Sequence, residues 1–591
     1  MKRLFTIAIV LTVCLLGKAQ DTIIVSLDSP GTLEATLAQI SEDAKTNTAS
    51  LKVLGPLNGQ DMMLIREMCG VKALNTKTQG ILSSLDLSDA TIMPSDEPYM
   101  SVYGIDYTSH IDEFGPFFLY NCANLTELTL PQDIAVVDTM AFAGCSNLKE
   151  LELPGTLREI GMGAFINCSN IQRLIVPDEV TELGVGAFQR MEGLEELTLG
   201  NGITEIENSI IVMDNSLRTI NLGLRFQTFN PVVFYNTPTL EQVNVDENNP
   251  HYMSIDGVLF SNSLDTLVTY PPAYPTEQYE IPEGVRMLAP YSFYNAMNLK
   301  TVNLPSTVNV IDTVAFFQCL ALEEVTGGES LTTLRFGAFG VMPGEEPALT
   351  SFTIPASLST FDGGAFFGNY LIYPDIDPEN PYYVSDENGL IYTKDITRLC
   401  FVPGLTEEFS LPETVTTIGE YAFSGTLALP EIYLPDHVTS VCDAAFSFAL
   451  GTETIVLGKN INKVGTQVID YCVSLANLYV FTEDIPDENL DEYSFLDESG
   501  TVMEQCVLHV MPGKAETYKM KKGFYSEEFE TFFFADIAEI ENSDGIEKVT
   551  TRLESTTPRY YGLDGTRRQF LTKGLNIISL PGGGIKIGMR R

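Results

Sequence analysis

Apolar residues recur along this chain at a fixed spacing. The segments AFAGCSNLKELELPGTLREIGMG from Ala141, AFINCSNIQRLIVPDEVTELGVG from Ala164 and AFQRMEGLEELTLGNGITEIENS from Ala187 align end to end with a period of 23 residues. The phase returns at Phe293, Phe316 and Phe339, slips by four at Phe366 where MPGEEP is inserted, and resumes at Phe423 and Phe446. Each unit holds two apolar clusters. In the first, Leu148, Leu151 and Leu153 read LxxLxL, and the last two alternate inward as a strand does. Pro154, which lacks an N–H for the ladder, ends that strand. The second cluster has the form apolar-x-x-apolar, as in Leu157-Arg158-Glu159-Ile160, Val180-Thr181-Glu182-Leu183 and Val415-Thr416-Thr417-Ile418. The glycine behind each, Gly161, Gly184 and Gly419, is expected to supply backbone freedom for a turn. The Ala-Phe pair then opens the next coil, its ring stacking on the phenylalanines above and below in one continuous column of core.

A unit this short cannot bury its apolar face alone, so neighbouring units must stack on one another. Periods of 20 to 29 with an LxxLxL core are the signature of leucine-rich repeats. The whole unit, AFxxCxxLxxLxLPxxLxxIGxx, resembles the repeats of BspA-like surface proteins of the Bacteroides group, over roughly residues 117 to 480. A second shared feature is a pair of insertions, NPHYMSIDGVLFSNSLDTLVTYPP from Asn249 and NPYYVSDENGLIYTKDITRLCFVPG from Asn380. The resemblance implies hairpin-like segments that widen coils near 246–281 and 377–411. The expected fold is a β-rich repeat solenoid, a right-handed leucine-rich-repeat coil with short parallel strands, an N-terminal α/β cap and a small C-terminal β-appendage. Residues 20–116 would form the first cap and 481–540 a closing coil with a helix from about Lys514, because an end coil otherwise exposes its apolar face.

The termini differ from this pattern. Lys2 and Arg3, the apolar run Leu4 to Leu16 and the small residues before Gln20 make residues 1–19 read as a secretory signal peptide. Leu11-Thr12-Val13-Cys14 resembles a lipobox, with Val13 standing where that pattern has Gly or Ala. No later stretch reaches the roughly 18 to 20 apolar residues that span a bilayer. Residues 541–591 carry nine Lys and Arg against five Asp and Glu, net +4 in a chain of −45, which leaves the remainder at −49. Asp564-Gly565 reads as a hairpin turn there. The segment resembles the C-terminal sorting or anchoring segments of exported proteins from the same bacterial group. Asp138-Thr139-Met140, Asp265-Thr266-Leu267 and Asp312-Thr313-Val314 likewise resemble that group's O-glycosylation sites.

Such an acidic surface repels phosphate backbones, which excludes nucleic acid as a ligand. Ten cysteines become nine after the leader, an odd number with no CxxC pair, which argues against a disulfide framework and a structural zinc site. Cys122, Cys145 and Cys168 lie 23 apart and read as buried free thiols. The four histidines, His110, His251, His437 and His509, are far apart in sequence and therefore far apart along a stack of coils. No nucleophile elbow, HExxH, P-loop or dinucleotide fingerprint occurs, so no catalytic residue, cofactor or metal is expected. Asp246, Glu247 and Asp256 near the first insertion are oxygen donors of the calcium type, without EF-hand spacing.

What remains is a surface. The outward position of successive LxL strands reads Thr129, Glu152, Ile175, Thr198, Asn221 and Asn244, then Asn303, Thr353, Tyr433, Val456 and Tyr479. Parallel strands about 4.8 Å apart would line these side chains into a row suited to an extended ligand. The function expected by resemblance is that of an exported, surface-associated, adhesin-like binding protein recognising a host or environmental protein. The alternatives are a glycan-binding accessory protein or carbohydrate-active enzyme, marked by two close carboxylates in a pocket, and a structural envelope component without a soluble ligand. Oligomeric state and ligand identity leave no trace in the sequence.

Overall fold

The computed structural model describes residues 22–540 except 207–209, 212–214, 230–232, 234–236, 343, 371, 500–503, 527 and 529, together with the backbone of four strands between Arg559 and Arg590. Residues 1–19 and the turn at Asp564-Gly565 lie outside the described residues. The chain divides into two compact units, Met1–Leu264 with Val268–Tyr274 and Asp265–Leu267 with Pro275–Arg591.

The first unit begins with a parallel sheet in which Ile23–Ser26, Ser50–Leu57, Ser84–Ile92 and Glu127–Thr129 are neighbours in that order. Helices Leu33–Ile40 and Gly59–Met68 connect its first strands. Asn58 and Asp61 form a reciprocal capping box at the second helix, and Asp61 also accepts the Gly31 and Leu33 amides at 2.6 and 3.0 Å. These contacts account for a carboxylate that is only 2% exposed.

From there most coils place two short strands in parallel ladders. One ladder pairs Arg173–Ile175, Glu196–Thr198, Thr219–Leu222 and Gln242–Val245, each strand in register with residues 23 positions away. The other pairs Glu113–Phe114, Val136–Val137, Glu159–Ile160 and Glu182–Leu183, so the second apolar cluster of the repeat also ends in a strand. The coil containing Leu148, Leu151 and Leu153 departs from expectation. Leu151 is buried, but residues 149–153 form no strand, and the Lys149 amide reaches the Thr126 carbonyl only at 3.5 Å.

The core of this unit is a stack of rings. Phe114, Phe142, Phe165 and Phe188 succeed one another at 4.9, 5.2 and 5.9 Å between centroids, tilted by no more than 22°. Beside them the thiols of Cys145 and Cys168 donate to the carbonyls of Leu119 and Phe142, the ring-column position one coil earlier. That shared partner is why Cys recurs there: a small apolar filler whose weak donor satisfies a buried carbonyl.

In the second unit the stack resumes with Phe293, Phe316, Phe339 and Phe366 at 4.5, 5.1 and 6.0 Å. The expected continuous column breaks here, because Phe401, brought in by the second insertion, meets Phe366 edge-on at 5.6 Å and 67°. Phe423 and Phe446 then pair at 5.4 Å. Both insertions are hairpins. Tyr252–Ile255 runs antiparallel to Val258–Ser261 across a two-residue turn with positive φ at Asp256 and Gly257. Tyr383–Ser385 pairs with Ile391–Thr393 across the longer loop Asp386–Leu390. Toward the C-terminus, Asp536–Glu539 pairs with Val507–Val510, with the short helix Ala515–Tyr518 between them. Of residues 541–591, the backbone of Arg559–Tyr561, Arg567–Arg568, Gly574–Ser579 and Ile585–Arg590 forms an antiparallel four-stranded sheet.

The glycines of the repeat serve a purpose other than the expected one. Gly161, Gly184 and Gly419 are absent from the left-handed region, which falls instead at Gly163 and Gly186. A Cβ on Gly184 would sit 2.3 Å from the Met162 amide nitrogen, so it is the close approach of successive coils that excludes a side chain there.

Candidate functional site

The structure brings part of the expected ladder together. Ile175, Thr198, Asn221 and Asn244 are direct strand partners in sequence order, and they line a groove of about 550 Å³ in the first unit. Two expected members stand outside it. Thr129 is exposed but pairs with Asp86 in the N-terminal sheet. Glu152 is exposed on the segment that forms no strand.

The groove owes its existence to the residues just beyond the strands. At the position where one coil has Pro177, the next two have Gly200 and Gly223, which also line the groove. A Cβ on Gly200 would lie 2.5 Å from the Pro177 carbonyl carbon, and one on Gly223 would lie 2.6 Å from the Gly200 oxygen. Glycine therefore lets the coils close tightly and leaves the wall beyond the strands bare of side chains at these two positions. The rim is ordered by side-chain caps that step from coil to coil: Asp178 accepts the Asn201 amide at 2.9 Å, and Asn201 accepts the Leu224 amide at 2.8 Å.

Polar groups along the floor satisfy one another. Asn244 donates its side-chain amide to Asn221 at 3.0 Å, and Asn221 donates to Thr198 and Glu196, both at 3.0 Å. Ile175 ends this row with 66% of its surface exposed. A large exposed aliphatic group beside a fixed row of amides is an arrangement suited to an extended polypeptide, whose side chains need apolar contact and whose backbone needs donors and acceptors.

In the second unit the expected positions fall into separate places. Asn303 is exposed between Glu280 and Thr326, whose hydroxyl donates to it at 3.1 Å. Thr353 is exposed and pairs with Asp375, a position the repeat pattern does not single out. Tyr433, Val456 and Tyr479 are strand partners, but Val456 is only 2% exposed, packed in a cluster with Phe481 and Ile540. The Tyr479 ring stacks on His509 at 4.1 Å, and His509 Nε2 lies 3.0 Å from the Asn477 carboxamide oxygen. Burial holds the His509 imidazole below its usual pKa.

Groups with shifted acidity lie elsewhere. Glu113, on the second strand ladder, is pushed up to about 7 by burial and by the nearby Asp138 carboxylate. Glu159, two strands along, is raised by burial and by Glu182. None of these carboxylates lines the groove. Asp246 at the groove rim accepts the backbone amide of Asn248 at 2.9 Å, and Asp256 occupies the hairpin turn. Among the described residues no three His, Cys, Asp or Glu side chains converge to hold a metal ion, and no helix is long and apolar enough to cross a membrane.

Residues 112–263, 273–381 and 394–499 match the family model described as BspA type leucine-rich repeat region, in six copies. Among solved structures, the pneumococcal vaccine antigen PcpA is similar at 18% identity, covering 80% of this chain and 87% of that one, with a TM-score of 0.32. A leucine-rich repeat protein from Eubacterium ventriosum is similar at 17% identity over 64% of this chain and 84% of the other, TM-score 0.35. One from Bacteroides ovatus is similar at 16% identity over 69% and 84%, TM-score 0.28. No curated protein matches the chain.

Proposed function

The chain belongs to the BspA-type leucine-rich repeat family, and from that premise we propose that it is an exported, non-catalytic binding protein that docks an extended segment of another protein along the outward strand face of its first unit. The observation that carries this reading is the groove of about 550 Å³ over four consecutive strand partners. It combines an exposed Ile175 with an amide row already held in place. Preorganisation of this kind lowers the ordering cost of binding. The leader-like residues 1–19 support export, and the mature chain then begins at Gln20.

The mature protein, immobilised, is to be screened against extracellular-matrix proteins and polysaccharides. The expected result is a protein ligand whose affinity falls at least about tenfold in Ile175→Arg, a change that drives a charged side chain into the groove at an exposed site and leaves the fold intact. Absence of any ligand in both panels, or a ligand indifferent to Ile175→Arg, would remove the reading.

A glycan ligand is the second reading, and it draws on a different surface. Tyr433, 36% exposed, and the Tyr479–His509 stack present ring faces of the kind that pack on sugars. A polysaccharide hit that is lost in Tyr433→Ala and kept in Ile175→Arg would favour it.

A further inference from the structure

The cysteines of the repeat follow one rule, and the first of them breaks it. Cys145, Cys168, Cys319 and Cys472 each donate to the carbonyl 26 residues earlier, at 3.1, 3.2, 2.9 and 3.1 Å. For Cys122, one period before Cys145, that carbonyl would belong to Asp96, which is exposed on a bend of the N-terminal cap, whereas Cys122 is fully buried. The coil that would supply its acceptor is absent, and the cap stands in its place.

What the cap supplies is a second thiol. Cys69 directly follows the helix Gly59–Met68 and is 1% exposed. Two contacts hold it against the first coil, one on each side in sequence. Before it, Arg66 Nη2 donates to the Tyr120 carbonyl at 2.9 Å. After it, Gly70 lies so near Asn124 that a Cβ there would meet Nδ2 at 2.7 Å. Residues 66–70 therefore run beside residues 120–124, with Cys69 and Cys122 between the two contacts. The two thiols are in hydrogen-bond contact, and burial together with that contact raises Cys69 well above the ordinary thiol range. Cys145 lies near them, but among the described residues these sulfurs do not converge as metal ligands do.

A thiol is a weak donor and a weak acceptor, so two thiols facing each other contribute little as a hydrogen bond. We propose that Cys69 and Cys122 are a redox pair that closes to a disulfide under oxidising conditions and so fastens the N-terminal cap to the first coil. The oxidant is a disulfide of another molecule. One protein thiolate attacks it, forming a mixed disulfide and releasing one thiolate; the second protein thiolate then attacks the protein sulfur of that mixed disulfide and releases the other. The protein gives up two hydrogens and two electrons, and the oxidant leaves as two thiols. Fully buried Arg66 touches Cys122 and has no carboxylate among its hydrogen-bond partners, so positive charge stands where negative charge develops on sulfur during the exchange. Closure of the pair in the cell rests on the export proposed above, since oxidants of this class act outside the cytosol. Its chemistry does not, and is tested on the purified protein.

The test uses the full mature chain carrying Cys442→Ser, which removes the half-buried thiol and leaves one fewer than the nine of the reduced protein. The reduced, folded protein is held overnight in a buffer of oxidised and reduced glutathione and quenched in acid, and its thiols are counted in denaturant. Both sulfurs are buried, so exchange waits on openings of the cap, and the same buffer is therefore also used to refold the chain from urea. The expected result is a thiol count lower by two, a mass lower by two hydrogens, and a linked pair of peptides holding Cys69 and Cys122. The oxidised protein should begin to unfold at least about 5 °C above the reduced one, because the link constrains the unfolded cap. Adding Cys69→Ser should abolish the loss of thiols, and adding Cys145→Ser should leave it intact. Retention of every thiol after both treatments, a link from Cys122 to Cys145, or equal melting of the oxidised and reduced protein would overturn the proposal.

Discussion

Asn244 donates its carboxamide N–H to the carboxamide oxygen of Asn221, 3.0 Å away and one coil earlier, and Asn221 repeats the gesture toward Thr198. The two asparagines are direct partners in parallel strands, so a repeat of 23 residues becomes a ladder of side-chain hydrogen bonds beside the backbone ladder.

Replacing the middle rung should reveal its worth. Asn221→Ala deletes its bonds to Thr198 and Glu196 and leaves the Asn244 amide without its acceptor. Asn221 and Asn244 are half-buried, so the loss should be about 1–2 kcal/mol, read as a lower unfolding midpoint in urea. An unchanged midpoint would show that water replaces these bonds at no cost.

Phe165 sits in the middle of the ring stack, 5.2 Å from Phe142 and 5.9 Å from Phe188, fully buried. Phe165→Ala should cost about 3–5 kcal/mol, because the coils on either side cannot collapse without breaking their own ladders. In a stack where each coil touches only its neighbours, the damage should be local. Amide exchange should therefore accelerate first in the strands Arg173–Ile175 and Glu159–Ile160, and uniform acceleration across the first unit would contradict this picture.

The period made these relationships legible in advance. Residues 23 apart occupy equivalent positions, so Phe142, Phe165 and Phe188 had to share one place in the coil, as did Thr198, Asn221 and Asn244. Periodicity identifies equivalence, however, and says nothing about cause. Gly161 and Gly184 recur just as regularly, but what requires them is the nearness of the preceding coil and not a turn conformation, and nearness is a property of packing. The same holds for the groove. The exchange of Pro177 for Gly200 and Gly223 is visible as letters, but its consequence, a wall bare of side chains at those two positions, appears only when the coils are stacked. Asp375 and Glu407 line one groove although 32 residues separate them. An insertion of irregular length brings them together, and irregular length is what a repeat pattern cannot anticipate.

The thiols offer a test of packing across both units. Nine cysteines are unpaired among the described residues, eight of them buried and Cys442 half-buried. Burial pushes Cys168, Cys319 and Cys506 up to about 12 and Cys400 to about 11, so almost none of these is thiolate at pH 8. An aromatic disulfide reagent should therefore modify Cys442 first in the native protein and all nine in denaturant. Cys442→Ser should abolish the native reaction, and prompt modification of three or more thiols would mean that the coils are looser than their ring stacks imply.

Acidity should report on the first unit through Glu113. Its carboxyl is raised from an ordinary 4.5 to about 7, by burial first and then by the Asp138 carboxylate. The folded chain thus holds a proton that the unfolded chain releases, so the stability this group contributes is fully present below about pH 4.5 and is lost as pH rises through about 7. Asp470 in the second unit, raised to about 6 by burial, acts with the same sign. Glu113→Gln keeps the neutral form at every pH. The variant should melt about 2–4 °C above the wild type at pH 8. At pH 4.5 the difference should vanish, because the wild-type carboxyl is then protonated in the fold. A difference in melting temperature that stays constant between those pH values would show that the substitution acts through packing, and that the Glu113 carboxyl takes up its proton alike in the folded and unfolded chain.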